Sequence, residues 1–161
     1  TNEALAKEYG GETFRTKVGE ANVVGGIIKN NAVIGGEGGG GVIYPAINTC
    51  RDSLTGMALI LELLAREEKS LSEIIDSLPH FEMRKNKFKF DGEISDLFEK
   101  MEAEFPDALP NFLDGLRLDF MDGSWLHLRA SNTEPIVRLI GEAKTSERIE
   151  NLIERSKILI G

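Results

Sequence analysis

Cysteine is almost absent from this chain. Cys50 is the only one, so no internal disulfide can form, and a reducing compartment is expected. Histidine is nearly as scarce. His80 and His127 stand far apart, and no motif places either beside Cys50, so Cys50 reads as a small packed residue and not as a nucleophile. Without a cysteine pair or neighbouring histidines there is no metal-ligand pattern. A basic surplus is missing too: 19 Lys and Arg stand against 27 Asp and Glu, a formal net charge of -8. That balance argues against non-specific binding to nucleic acid or to an anionic membrane. No apolar run approaches the roughly 20 residues of a membrane span, and no signal peptide opens the chain; a cytoplasmic setting is the expectation. The first residue is Thr1 and not methionine, so the chain is read as a piece of a longer protein.

What is present is globular. The 161 residues are 41% hydrophobic and 29% charged, enough for one domain, or one small domain and part of another. Asn2 to Glu8 predicts a helix ended by Gly10-Gly11. Glu12 to Arg15 reads as a strand. Val23, Val24, Ile27 and Ile28 share a helical stripe. Ala32-Val33-Ile34 reads as a short buried strand, and Val42-Ile43-Tyr44 as one that returns beyond a glycine run and stops at Pro45. Leu54, Met57, Ala58, Leu61, Leu64 and Ala65 predict a helix capped by Asp52 or Ser53. Ser70 and Glu73 have capping-box spacing ahead of another short helix. The alternation of helix and strand is that of an α/β layered domain whose first strand is missing.

Phe81 to Phe90 alternates apolar and basic residues and reads as an extended connector, 81–91. Beyond it, Ile94, Leu97, Phe98 and Met101 predict a helix ending before Pro106. Leu116 to Phe120 and Trp125 to Leu128 read as strands joined at Asp122-Gly123, a hairpin signal. Ile136 to Ile140 is a third strand. Ile149, Leu152, Ile153 and Leu159 predict a last helix capped by Thr145 or Ser146. Residues 92–161 are thus expected to form a small α+β domain with an antiparallel sheet and flanking helices.

Two loops carry candidate chemistry. Arg129-Ala130-Ser131-Asn132-Thr133-Glu134-Pro135 gathers a planar guanidinium, two hydroxyls and an amide in five residues, a donor set suited to an anion. The same residue types also satisfy their own backbone in ordinary polar loops. The glycine run contains Gly36-x-Gly38-x-x-Gly41, but no helix follows it to receive a pyrophosphate, so a dinucleotide site is rejected. Glu37 is the lone side chain in that run. It can accept two adjacent hydroxyls, as on a sugar ring, or simply project from a mobile hairpin. Lys17 is read in or just before the first turn of a helix, where a cation is mildly unfavourable and an anion would offset it.

Taken in order, Thr16-Lys17-Val18-Gly19, Gly36-Glu37-Gly38-Gly39-Gly40-Gly41-Val42-Ile43, Asp114-Gly115-Leu116 and the Arg129 to Pro135 loop resemble the C-terminal part of an α-D-phosphohexomutase, the superfamily of phosphoglucomutases, phosphomannomutases and phosphoglucosamine mutases. The resemblance covers essentially the whole chain. It implies that residues 1–80 are most of the third of four domains set around a cleft, and that 92–161 are the fourth. It also implies that Glu37 binds sugar hydroxyls, that Arg129, Ser131, Asn132 and Thr133 hold the phosphate not being transferred, and that Lys17 lies near the substrate. Mg²⁺, a hexose 1,6-bisphosphate intermediate, a phosphorylated hexose as partner, and contacts with N-terminal domains of the same chain are implied as well.

The departures are informative. Many members carry Ser and His where this chain has Gly39 and Gly41, so the sugar loop brings no imidazole. The family's phosphoserine segment, Thr-x-Ser-His-Asn, and its Asp-Gly-Asp-x-Asp-Arg metal loop are both absent from these residues. A chain of these residues alone is therefore expected to bind and not to turn over. The alternative, a non-catalytic phosphosugar-binding or regulatory module, fits the same loops.

Overall fold

A computed structural model of the chain describes residues 2–131 and 134–161. Asn132 and Thr133, both read as phosphate ligands, lie outside the described residues. The chain is mixed α/β and divides into two compact units, Thr1–Pro79 and His80–Gly161.

In the first unit, α1 (Asn2–Glu8) stops where Gly10 turns to φ 71. The expected strand over Glu12 to Arg15 does not form: among the described residues the segment pairs with no strand. α2 (Glu20–Asn30) buries Val23 and Ile27 against Ile43, and Asn31 ends it in the left-handed conformation. Lys17 is exposed and lies three residues before α2, outside its first turn, so the expected dipole cost does not arise. Ala32 to Ile34 is not a buried strand: Val33 is 77% exposed and Ile34 49%. The strands are shorter and later. β1 (Gly35–Gly36) pairs antiparallel with β2 (Val42–Ile43) as a two-stranded ribbon.

α3 (Ser53–Glu67) and α4 (Leu71–Ser77) follow. The Ser70–Glu73 capping box is fully formed. Along α3 the apolar stripe is present, yet none of its residues is buried. Cys50, read as packed, is exposed. Asp52 caps α3 by accepting from the Leu54 and Thr55 backbone N–H groups and from the Thr55 hydroxyl. The Thr55 backbone N–H, then its hydroxyl, hold the Asp52 carboxyl below its ordinary range. A depressed folded value means that the stabilisation is present above the unfolded pKa and is lost as pH falls through the folded one. The Thr55 amide resonance is therefore expected to hold its neutral-pH position until below the ordinary aspartate range, about pH 4. Asp52→Asn should abolish that step; an identical acid titration in the variant would remove the cap from the explanation.

The second unit is built on one sheet. β3 (Glu82–Lys89), α5 (Ile94–Glu104), β4 (Leu109–Asn111), β5 (Leu116–Asp119), β6 (Trp125–Ala130), β7 (Ile136–Ala143) and α6 (Ser146–Ile160) follow in chain order. The five strands lie in the order β3-β7-β6-β5-β4, and every pair is antiparallel. Residues 82–89 are thus an edge strand and not the expected connector. They are extended as foreseen, but their backbone groups pair with β7 from Glu82↔Ala143 to Lys89↔Ile136. The alternation in β5, β6 and β7 is one-sided. Leu116, Leu118, Leu126, Leu128, Val137 and Leu139 are each no more than 1% exposed, and they pack with Leu97 and Met101 of α5 and Ile149 and Leu152 of α6. Gly141 lets α6 close on the sheet: a Cβ there would come 2.6 Å from Ile149 Cδ1 and 2.8 Å from Leu126 Cδ2. The face away from the helices carries Lys85, Lys87, Arg138, Arg129, His127 and Arg117 in cross-strand register.

Candidate functional site

The glycine run of the first unit is the tip of the β1–β2 ribbon. Glycine is required where two backbones meet: a Cβ on Gly36 would lie 2.8 Å from the Gly41 carbonyl oxygen. Gly40, at φ 87, donates its N–H to the Glu37 carbonyl at 3.0 Å and turns the chain back. Around Gly38, Gly39 and Gly40 there is open space, so bare backbone is left for a ligand to approach. Glu37 is half-buried, and its Oε1 accepts the Gly19 N–H at 2.7 Å. This bond brings together two motifs that stand 18 residues apart, Thr16 to Gly19 and Gly36 to Gly41. Gly19, at φ 122, is the residue before α2, so the carboxylate sits at the positive end of that helix. Lys17 belongs to the same turn, where its carbonyl accepts from the Thr16 hydroxyl at 3.0 Å.

In the second unit, Arg129 lies near the end of β6, just ahead of the loop. The Ser131 N–H donates to the Ile136 carbonyl at 2.9 Å and closes the loop's neck, while the Phe90 N–H ties Pro135 to the end of β3 at 3.2 Å. The Arg129 guanidinium is partnered: its Nη1 is 3.5 Å from Asp114 Oδ2. Asp114 is held in turn through its carbonyl, which accepts from His127 Nε2. His127 thereby anchors the turn that supplies the partner of Arg129.

Arg138 lies within the expected strand Ile136 to Ile140. Register gives it more. Arg138 stands directly opposite Arg129 on β6 and opposite Lys87 on β3. Like charges placed opposite one another in a ladder repel, and the Arg138 Nε is buried with no hydrogen-bond partner among the described residues. A buried unsatisfied donor on a cation is costly, on the order of 1–3 kcal/mol or more. An anion at the mouth of the Arg129 loop would relieve both penalties. The only sequence signal was an arginine inside the apolar run Ile136-Val137-Arg138-Leu139-Ile140.

Residues 2–81 match the family model of the phosphoglucomutase/phosphomannomutase alpha/beta/alpha domain III, and residues 87–157 match that of the phosphoglucomutase/phosphomannomutase C-terminal domain. The chain belongs to the phosphoglucomutase/phosphomannomutase family. It is 38% identical over 152 residues to a phosphoglucomutase/phosphomannomutase of Thermococcus kodakarensis, covering 93% of this chain and 33% of that relative. It is 33% identical over 159 residues to a phosphoglucosamine mutase of Methanocaldococcus jannaschii, covering 96% of this chain and 35% of the relative. The crystal structure of a phosphoglucomutase/phosphomannomutase family protein from Burkholderia thailandensis superposes with a TM-score of 0.78 at 25% identity, covering 99% of this chain and 34% of the other. The chain thus spans about a third of the length of the curated relatives it matches, and it corresponds to their C-terminal part. The family resemblance read from the four motifs stands. Among the described residues no helix is long and apolar enough to cross a membrane, and no three His, Cys, Asp or Glu side chains are grouped to hold a metal ion.

Proposed function

We propose that this chain is the substrate-binding C-terminal part of a phosphohexomutase, which interconverts hexose 1-phosphate and hexose 6-phosphate through a phosphoserine and a bisphosphate intermediate in the cytoplasm. The observation that carries the phosphate assignment is the Arg129–Arg138 pair, with the Arg138 Nε buried and without a partner among the described residues. Arg129, Ser131, Asn132 and Thr133 hold the phosphate not being transferred, and Arg138 joins them. Glu37 accepts ring hydroxyls, and Lys17 adds a cation near the substrate. These are positioning contacts: they fix reactants in a near-attack arrangement and leave bond breaking to other groups. The 161 residues contain neither a Thr-x-Ser-His-Asn segment nor an Asp-Gly-Asp-x-Asp-Arg loop. Among the described residues no three His, Cys, Asp or Glu side chains are grouped to hold Mg²⁺, and the ion would be held by the N-terminal domains. On this reading the chain by itself binds phosphorylated hexoses without transferring their phosphoryl group.

The test is a titration of the isotope-labelled chain with glucose 1-phosphate, mannose 1-phosphate, glucosamine 6-phosphate and inorganic phosphate, followed by backbone amide NMR. Saturable shifts are expected at Ser131 and its loop neighbours with all four ligands, and around Glu37 with the sugars only. A titration in which millimolar ligand moves neither set would defeat the proposal, and the sugar that moves the Glu37 set most identifies the substrate class.

A further inference from the structure

Glu37 is held by a circuit of contacts that the glycine hairpin does not supply by itself. Its Oε1 accepts the Gly19 N–H. The next residue, Glu20, opens α2, and its carboxylate takes two bonds from Arg51: the backbone N–H to Oε1 at 2.9 Å and the Nε–H to Oε2 at 2.8 Å. The aliphatic stem of Arg51 lies against Gly41, the last glycine of the loop. A Cβ on Gly41 would come 2.4 Å from Arg51 Cδ, 2.9 Å from Cγ and 3.3 Å from Cβ. One residue on, the Asp52 N–H donates to the Val42 carbonyl at 2.9 Å and fixes the same segment to β2. The circuit runs from Glu37 through Gly19, Glu20 and Arg51 to Gly41, and back along the loop.

Its purpose is not bulk stability. The Glu20 and Arg51 side chains are 32% and 54% exposed, and ion pairs so open to water contribute little to folding. Geometry is what the pair supplies. Both Glu20 oxygens are engaged, and the Arg51 backbone N–H, then its guanidinium, hold the Glu20 carboxyl below its ordinary range. A run of glycines has wide conformational freedom, and no described atom lies within 4 Å of where a Cβ on Gly38, Gly39 or Gly40 would stand; the Gly40 N–H to Glu37 carbonyl bond closes the turn but does not tie it to the rest of the unit. The position of the Glu37 carboxylate is therefore set by where the loop's two sides are pinned, at Gly19 and at Gly41. The Glu20–Arg51 bridge ties those two points to each other.

We infer that Glu20 and Arg51 are positioning residues for the sugar contact. They lock Gly19 and Gly41 at a fixed separation, so that Glu37 keeps one oxygen on the Gly19 N–H and offers the other to a ring hydroxyl. This rests on the reading of Glu37 as the hydroxyl acceptor. It also accounts for glycine at position 41, since any larger residue there displaces the Arg51 stem.

The experiment uses the whole labelled chain with Glu20→Ala, Arg51→Gln and Arg51→Lys, and Glu37→Gln as the reference for a broken Gly19 bond. The Gly19 amide resonance reports the carboxylate bond, and the Ile43 methyl signal reports the intact core. In Glu20→Ala and Arg51→Gln the Gly19 resonance is expected to move toward its Glu37→Gln position. Affinity for glucose 1-phosphate should fall about tenfold, the weight of a single hydrogen bond to a charged group at the low end of its range. Affinity for inorganic phosphate should not change. Arg51→Lys keeps the stem and the charge, so it should lie between parent and Arg51→Gln; it is also the deciding variant if another loses the Ile43 signal. An unmoved Gly19 resonance with Ile43 in its native position overturns the brace. If Gly19 moves as expected while the parent chain binds no glucose 1-phosphate, the brace stands and the sugar reading of Glu37 falls.

Discussion

Replacing Arg129 with alanine is expected to weaken binding of hexose phosphates and of inorganic phosphate alike by about 1.5–3 kcal/mol, the range for hydrogen bonds to charged groups. In affinity that is roughly 10- to 150-fold. On the proposed reading Arg129 meets the phosphate and not the ring, so the two ligand classes should lose equally. Arg129→Lys should recover only part of the loss: an ammonium keeps the charge and gives up the planar two-point fork. Deletion should also leave Asp114 without its cation at 3.5 Å, turning an orienting carboxylate into one that repels the incoming phosphate. Removing Asp114 in the same protein should then restore some affinity. Calorimetric titrations of the single and double variants measure this. Unchanged phosphate affinity in Arg129→Ala would end the phosphate assignment for the loop.

Gly115→Ala is expected to have the largest effect on stability. Gly115 lies at φ 76, and a Cβ there would stand 2.4 Å from the Leu128 carbonyl oxygen and 3.2 Å from Arg129 Cα. Both obstacles are backbone and cannot rotate away. The left-handed conformation costs about 1–2 kcal/mol for a residue with a Cβ, and forced overpacking adds about 1–3 kcal/mol. Gly123→Ala provides the comparison, because Gly123 has a similar φ of 83 and nothing within 4 Å; it should show the conformational part alone. Thermal unfolding of the two variants separates the contributions. Gly115→Ala should also lose phosphate affinity, since the atoms it pushes carry Arg129, whereas Gly123→Ala should keep it. Equal melting temperatures for the two would show that the close approach at Leu128 is relaxed at no cost.

The elements legible from sequence were those whose burial is one-sided. Leu116 and Leu118 alternate with Arg117 and Asp119, Leu126 and Leu128 with His127 and Arg129, and the structure buries the leucines and leaves the polar partners on the open face. β3 was legible as extended chain but not as part of the sheet. Its core-facing positions include Arg84 and Asn86, and its membership comes from backbone pairing with β7, which no local pattern reveals. β4 is three residues, Leu109, Pro110 and Asn111, all exposed, so no alternating apolar pattern marks it. Ala32 to Ile34 misled in the opposite direction: an apolar triplet is buried only if a sheet is there to receive it. At the site, the motifs marked Glu37, Arg129 and Ser131 because loop composition is visible in sequence. Arg138 and Asp114 acquired roles only through register and a turn, which are properties of the folded chain.

The strand order of the second unit has a consequence for how the chain comes to be folded during synthesis. β4 to β7 form a meander whose neighbours are close in sequence, so those pairings can close early. β3 is made first, yet among the described residues its one partner strand is β7, with Glu82 waiting for Ala143. Non-local pairings of this kind must meet the entropy of closing a long loop before any contact rewards it. On a ribosome, β3 therefore emerges and stays unpaired until β7 follows, 47 residues on from Lys89 to Ile136, with its three lysines 85, 87 and 89 in solvent. Lysines on a waiting edge discourage pairing with other chains. Charge that later lines the open face of the finished sheet thus first serves to keep the nascent strand unattached until its partner arrives.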